Sequence, residues 1–281
     1  MQAQLKLPTG AYDIPLMISA RQFQSNGQLV SPGNGTDSLF GDVITVNSQP
    51  WPYLAVEPRK YKFRLLDAAI SRSFSLYLVA DSNPSTRLSF TVVGADAGYL
   101  DHPVPTSTLV FAMAERYDII IDFARYRGKN LTLMNDFNFQ NNPDYAATDR
   151  IIRFVVGNQV TNTANNGVIP SHLADLVLPS QHTTIDHSFT FAFVNEQWLI
   201  NGVGFADVAN RILARPKRGQ VERWQLINQS NASSHPIHIH MVDFQVVSRS
   251  GGRGAVETYE AAALKDVVYL GESEEVEVCT E

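Results

Sequence analysis

Short apolar or alternating runs broken by Gly, Pro, Asn and Asp dominate the chain: DVITVN (42–47), YKFRLL (61–66), SFSLYLV (73–79), LSFTVVG (88–94), TLVFAMA (108–114), YDIIIDF (117–123), NLTLMN (130–135) and RIIRFVVG (150–157). Their β-branched and aromatic content, with turn residues about every ten positions, predicts the strands of an antiparallel sandwich or barrel. Long helical periodicity is absent, so the fold class is all-β. A polar stretch, NQVTNTANNGVIPSHLADLVLPSQHTT (158–184), then interrupts the pattern. Strand-like runs resume at SFTFAFV (188–194), QWLING (197–202), VERWQLIN (221–228), IHIHMVDFQVVS (237–248) and KDVVYLG (265–271). The interruption marks a domain boundary.

The two halves resemble each other. VNSQPWP…EPRKYKFRLLDAAISRSFSLYL (46–78) can be laid on INGVGFA…KRGQVERWQLINQSNASSHPIHIHM (200–241), each reading as a turn, a basic lead-in, a strand, a polar loop and a further strand. Under that pairing Arg72, Ser75 and Tyr77 take the places of His235, His238 and His240. One β-unit is thus used twice, with imidazoles in the second copy only, and the scaffold does not need them to fold.

Composition narrows the function. With 281 residues the chain has room for two ordinary domains, and 44% hydrophobic with 18% charged residues fits a globular protein. A net charge of −6 and a pI near 5.6 leave nothing to offset phosphate repulsion, so nucleic acid is excluded as a partner. No run approaches the roughly 20 apolar residues of a membrane helix, and MQAQLKLPTGAYDIP lacks the basic cap and apolar core of a secretory signal. No membrane partner is expected, and the compartment is left open. Cys279, alone, makes no internal disulfide, and N-x-S/T triplets at Asn34, Asn130, Asn228 and Asn231 would be glycosylated only on a secreted chain.

HPIHIH (235–240) places three of the seven histidines within six residues. On a strand, positions i and i+2 share a face about 6.5–7 Å apart, so His238 and His240 point the same way, where they can ligate one metal or two adjacent ones. His235 has the opposite parity and is set off by Pro236, which cannot donate to a central ladder. The pattern predicts two metal sites served from one strand; neutral imidazole suits copper, zinc, iron or nickel. The competing reading is a set of hydrogen-bonded histidines on a half-buried strand. A hydrolase motif of the HxHxDH type would need Asp two residues after His240, whereas Asp243 is three away, and the Glu and Gly-rich lead-in of a cupin are missing.

HPIHIH followed by MVDFQVV resembles the third-domain histidine motif of the multicopper oxidases. GDVITVNSQPWP, EPRKYKFRLLDAAISRSFSLYL, AERYDIIIDF, INGVGFADV, VERWQLIN and LKDVVYLG resemble further segments of the fungal bilirubin oxidase and laccase-like branch, from about Tyr12 to the end. The resemblance implies cupredoxin-like Greek-key β-sandwiches, and copper as cofactor in a type 1 site and a trinuclear cluster. It implies His235 as a type 1 ligand, His238 as a type 2 ligand and His240 as a type 3 ligand. The family also uses two His-x-His pairs from a first domain and a His-Cys-His strand near the C-terminus. Neither is present here, and Cys279, without flanking histidines, is read as a strand residue. Asn228 and Asp243 could serve as hydrogen-bond partners beside the motif, but the preferred reading is a turn residue and a strand cap.

The resemblance implies residues 1–11 as the remnant of a preceding domain or a linker, 12–158 as a cupredoxin-like domain without copper ligands, and 159–183 as a linker. Residues 184–281 follow as an incomplete cupredoxin-like domain, the second one truncated, bearing the motif and less stable than 12–158. The implied activity is one-electron oxidation of phenolic, aromatic or tetrapyrrole substrates coupled to reduction of dioxygen to water, with none expected from this chain alone, which reads as a fragment, a mispredicted gene product or one half of an assembly in which a second chain supplies the missing ligands. Ser233 stands where the bilirubin oxidase branch has a tryptophan beside the type 1 copper, which favours a phenolic or other electron-rich aromatic over bilirubin. The alternative is a non-catalytic cupredoxin-like binding or accessory protein, as in fungal secondary metabolism.

Overall fold

The computed structural model describes residues 5–33, 38–137, 139, 143–180, 183–230 and 233–280. They form two compact units, the first Met1–Ala95 with Tyr99–Ala174, the second Asp96–Gly98 with Asp175–Glu281. Among them no helix is long and apolar enough to cross a membrane.

In the first unit the strands are β1 (Asp13–Arg21), β2 (Val43–Val46), β3 (Gln49–Pro50), β4 (Tyr53–Val56), β5 (Lys60–Asp67), β6 (Phe74–Ala80), β7 (Asn83–Leu88), β8 (Phe90–Ala95), β9 (Gly98–Thr106), β10 (Leu109–Phe111), β11 (Arg116–Asp122), β12 (Asn130–Asn135) and β13 (Arg150–Val156). One sheet runs β3-β2-β1-β5-β11-β8-β9 and the other β10-β6-β12-β13-β4, with β7 on β6. Alternation makes the core: in β12 Leu131 and Leu133 face inward while Asn130 and Thr132 face out. Phe63, Phe74, Leu76, Phe111 and Phe154, all at most 1% exposed, are core as well. Each such side chain contributes about 1.5–3 kcal/mol of burial.

The polar stretch after β13 is folded onto this unit as far as Ala174. The Arg59 guanidinium donates to the Asn162 and Ala164 carbonyls and lies 3.5 Å over the Tyr12 ring, while Thr161 N–H donates to Glu57. Leu173 packs with Leu7, Val93 and Ile120. Two stretches read from sequence as a remnant or linker thus contribute side chains to this core. Leu7, within the presumed remnant, is core, and so is Leu173 of the presumed linker, because each has an apolar pocket to fill. Residues 1–4 lie outside the described ones.

The second unit has β14 (His187–Val194), β15 (Gln197–Ile200), β16 (Val203–Gly204), β17 (Glu222–Asn228), β18 (His235–His238), β19 (Phe244–Gly251), β20 (Val267–Leu270) and β21 (Glu274–Thr280). Its main sheet, β16-β15-β14-β17-β21-β19, repeats the order β3-β2-β1-β5-β11-β8, down to the parallel pairs β14/β17 and β1/β5. The pair β18–β20 repeats β6–β10. Where β6 also pairs with β12, however, β18 has β20 as its one neighbour among the described residues.

The structure moves the register of the repeat by two. Asp67 Oδ1 accepts the Ala69 N–H and Asn228 Oδ1 the Ser230 N–H, two residues on in each case. Glu115 and Glu274 likewise accept the N–H three residues back, from Ala112 and Gly271. These anchors put Phe74, Tyr77 and Val79 at the places of His235, His238 and His240. Arg72 matches Ser233 instead. The polar loops are similar in either register; the side-chain caps at their ends decide it.

The core of this unit is Leu226, Phe244, Val246, Val268, Leu270, Val276 and Val278, with Phe189, Phe191, Trp224 and Ile237 only partly covered. Beside it is a buried ionic cluster. Arg249 bridges Glu260 at 2.7 Å and Glu274 at 3.1 Å, and Lys265 meets Asp96 at 2.9 Å. Of the N-x-S/T positions, Asn130 opens β12 and Asn228 is buried, while Asn34 and Asn231 lie outside the described residues.

Candidate metal centre

β18 is an extended strand because Pro236 and its β-branched neighbours hold that backbone, and Pro236 stands opposite Tyr269 in the two-stranded sheet with β20. Alternation then sends His235 and His238 to opposite faces. His238 and His240 come together, their rings 4.8 Å apart at 67°, and both are exposed. His235 is half-buried against other groups: Trp198 at 5.0 Å, edge-on at 82°, and Phe191 at 6.4 Å.

The hydrogen bonds fix which nitrogen of His235 is free. Asn228 Nδ2 donates to the Ser233 and Gly271 carbonyls, each at 2.7 Å, so its other atom is the carbonyl oxygen. The Ser230 hydroxyl donates to that oxygen and so has no proton left for His235. His235 Nε2–H therefore donates to Ser230 Oγ at 2.9 Å, and Nδ1 keeps its lone pair. Burial lowers the pKa of this imidazole, which favours the neutral, ligating form. In His238 it is Nδ1–H that donates, to the Asp266 carbonyl at 2.7 Å, leaving Nε2 free. Outer partners of this kind orient metal-binding imidazoles. Two imidazoles that hydrogen-bond through opposite ring nitrogens fit part of a copper donor set.

Among the described residues no group of three or more His, Cys, Asp or Glu side chains is arranged to close a metal site. Cys279 is buried in β21, opposite Arg223 and Gln245, as the strand reading expects. Asn228 is buried and organises the loop leading to His235, more than a turn residue alone would. Asp243 offers its carbonyl to Thr280 Oγ1.

Sequence reasoning missed the groups around His235. A cavity of about 400 Å³ opens beside it, lined by Trp198, Phe205, Arg211, Leu213, Phe191 and Ile237. An indole does reach this imidazole, but from β15 rather than from position 233, whose carbonyl is taken by Asn228. The signal in QWLING was the tryptophan itself; its partner, 37 positions later, depends on the β14–β15 and β14–β17 pairings.

Residues 177–279 match the multicopper oxidase family model. Bilirubin oxidase of Albifimbria verrucaria is 47% identical over 282 residues, which is 98% of this chain and 49% of that protein. The laccase of Bacillus subtilis (strain 168) is 33% identical over 268 residues, 88% of this chain and 50% of that one. The crystal structure of McoA multicopper oxidase from Aquifex aeolicus superposes with a TM-score of 0.83 at 29% identity, over 99% of this chain and 61% of that one. The chain spans about half the length of the curated relatives it matches.

Proposed function

Since the chain belongs to the multicopper oxidase family, whose cofactor is copper, we propose that it supplies part of the ligand set for one-electron oxidation of an aromatic or phenolic reductant coupled to reduction of dioxygen to water. His235 would hold a type 1 copper, His238 a type 2 and His240 a type 3 copper, with further ligands coming from outside this chain's described residues, on a second chain or a longer form of the protein. Copper, when bound, carries single electrons between reductant and dioxygen. The chain's own residues supply position. Ser230 and the Asp266 carbonyl turn the free nitrogens of His235 and His238 outward, and Trp198 with Phe191 shields the face of His235. The cavity beside His235 admits the reductant to within reach of the imidazole edge.

The observation that carries this reading is the strand itself: His238 and His240 meet with their rings 4.8 Å apart while His235 turns to the other face, as two metal sites served from one strand require. Elemental analysis of chain expressed with copper and dialysed tests it. Copper retained by the wild type and lost in a His238→Ala, His240→Ala double variant is the expected result. Retention in the double variant would sink the assignment. No absorption band near about 600 nm is expected, since such a band needs a thiolate and Cys279 is sealed in β21.

A further inference from the structure

We propose that Asn130 is an N-glycan acceptor and that its first sugar lies in the groove on the outer face of β12 and β13. Of the N-x-S/T triplets, those at Asn130 and Asn228 fall on described residues, and the fold treats the two amides oppositely. Asn228 is 3% exposed, and its Nδ2 already donates to the Ser233 and Gly271 carbonyls, so a sugar there would break one of those bonds and has no room. Asn130 is half-buried at the start of β12 and faces out with Thr132; its side-chain amide makes no hydrogen bond among the described residues. The backbone holds the strand end instead, the Asn130 carbonyl accepting the Asp81 N–H at 3.0 Å.

A groove of about 720 Å³ opens beside that amide, within the size range of ligand cavities. Trp51, 39% exposed, and Tyr53, 73% exposed, stand along it. The Trp51 Nε1–H donates to the Ala147 carbonyl at 2.9 Å, which fixes the indole. Rings left this open mark a binding groove, and the C–H face of an N-acetylhexosamine packs on them. Arg150, exposed in the same groove, donates to the sugar's hydroxyl and acetamide oxygens. The transfer itself involves no redox change. Asn130 Nδ2 forms a bond to the anomeric carbon of a polyprenyl-pyrophosphate-linked oligosaccharide. The bond from that carbon to the pyrophosphate oxygen breaks, its electron pair stays on the pyrophosphate, and one amide proton is lost to solvent. Thr132, two residues on, supplies the hydroxyl that completes the acceptor triplet. Transfer meets the chain before it folds, so the fold decides which product persists: a chain with sugar at Asn130 closes normally, and one with sugar at Asn228 does not.

Sending the 281-residue chain through the secretory pathway of a yeast behind a cleavable leader, and reading site occupancy by peptide mass spectrometry, tests the assignment. Sugar is expected at Asn130 and absent from Asn228 in the soluble, folded chain. Asn130→Gln and Thr132→Ala abolish it at that site, whereas Thr132→Ser keeps it. Occupancy is read whether or not a variant folds. Trimming with endoglycosidase H to a single N-acetylglucosamine isolates the contact with the groove. Hydroxyl-radical footprinting should then find Trp51 and Tyr53 oxidised about half as fast as in Asn130→Gln, since a stacked sugar covers one of a ring's two faces. An empty Asn130, sugar at Asn228 in the folded chain, or equal oxidation rates overturns the proposal.

Discussion

Asp67 closes β5 with one carboxyl oxygen on the Ala69 N–H at 2.8 Å and the other buried without a hydrogen-bond partner. Burial raises its pKa well above the usual carboxylate range, and Glu115 adds to the effect against the pull of the Ala69 N–H and Arg72. Its counterpart Asn228 fills the same place with an amide whose Nδ2 bonds two carbonyls. Asp67→Asn is therefore expected to stabilise the chain by about 1 kcal/mol at pH 7, read from urea midpoints. A raised folded pKa means that the native state favours the protonated carboxyl. The gain should therefore vanish below about pH 4, where the wild type is protonated in both states. A destabilised variant would contradict the matching of Asp67 with Asn228. The parity of the three histidines was legible in the sequence because strand alternation is local. Trp198, Ser230 and Arg211 were not, since their places depend on sheet order and on loops whose paths a linear pattern does not encode.

Among the elements, the single helical turn Thr258–Ala261 matters beyond its length because it carries Glu260 into the core. Burial alone would raise this carboxyl; Arg253 and Arg249 outweigh that and hold it at about 2. A depressed folded pKa contributes stability that is fully present above the unfolded value of 4.5 and is lost as the pH falls towards about 2. Glu260→Gln leaves Arg249 half-compensated and should cost about 3 kcal/mol at neutral pH, a gap from the wild type that closes across that acid range. A gap independent of pH would show that packing, not charge, is what the substitution removes. Sequence gave no hint of this cluster, since Arg249, Glu260 and Glu274 lie on three separate elements and their burial is a tertiary fact.

For the whole molecule, the repeated sheet order lets one unit serve as a control for the other. β1 has four fully buried residues while β14, in the same place, has none. β6 is flanked by β10 and β12, whereas β18 has β20 alone among the described residues. Hydrogen exchange should accordingly find β14, β17 and β18 less protected than β1, β5 and β6, with the second unit opening first. Equal protection in both would refute this. The all-β class, the break between the halves and the internal repeat could be read from the runs of apolar residues. The docking of residues 159–174 could not, because it rests on a few apolar side chains and on Arg59 inside a polar stretch.

That β18 has one neighbour among the described residues also bears on timing. A strand held along one edge opens and recloses faster than one held along both, so the hydrogen bonds that orient its imidazoles form after the rest of the sheet has set. Capture of a ligand by them is then a late event, following the folding of the chain rather than guiding it. Refolding of the two cores should proceed at the same rate whether or not metal is in the buffer.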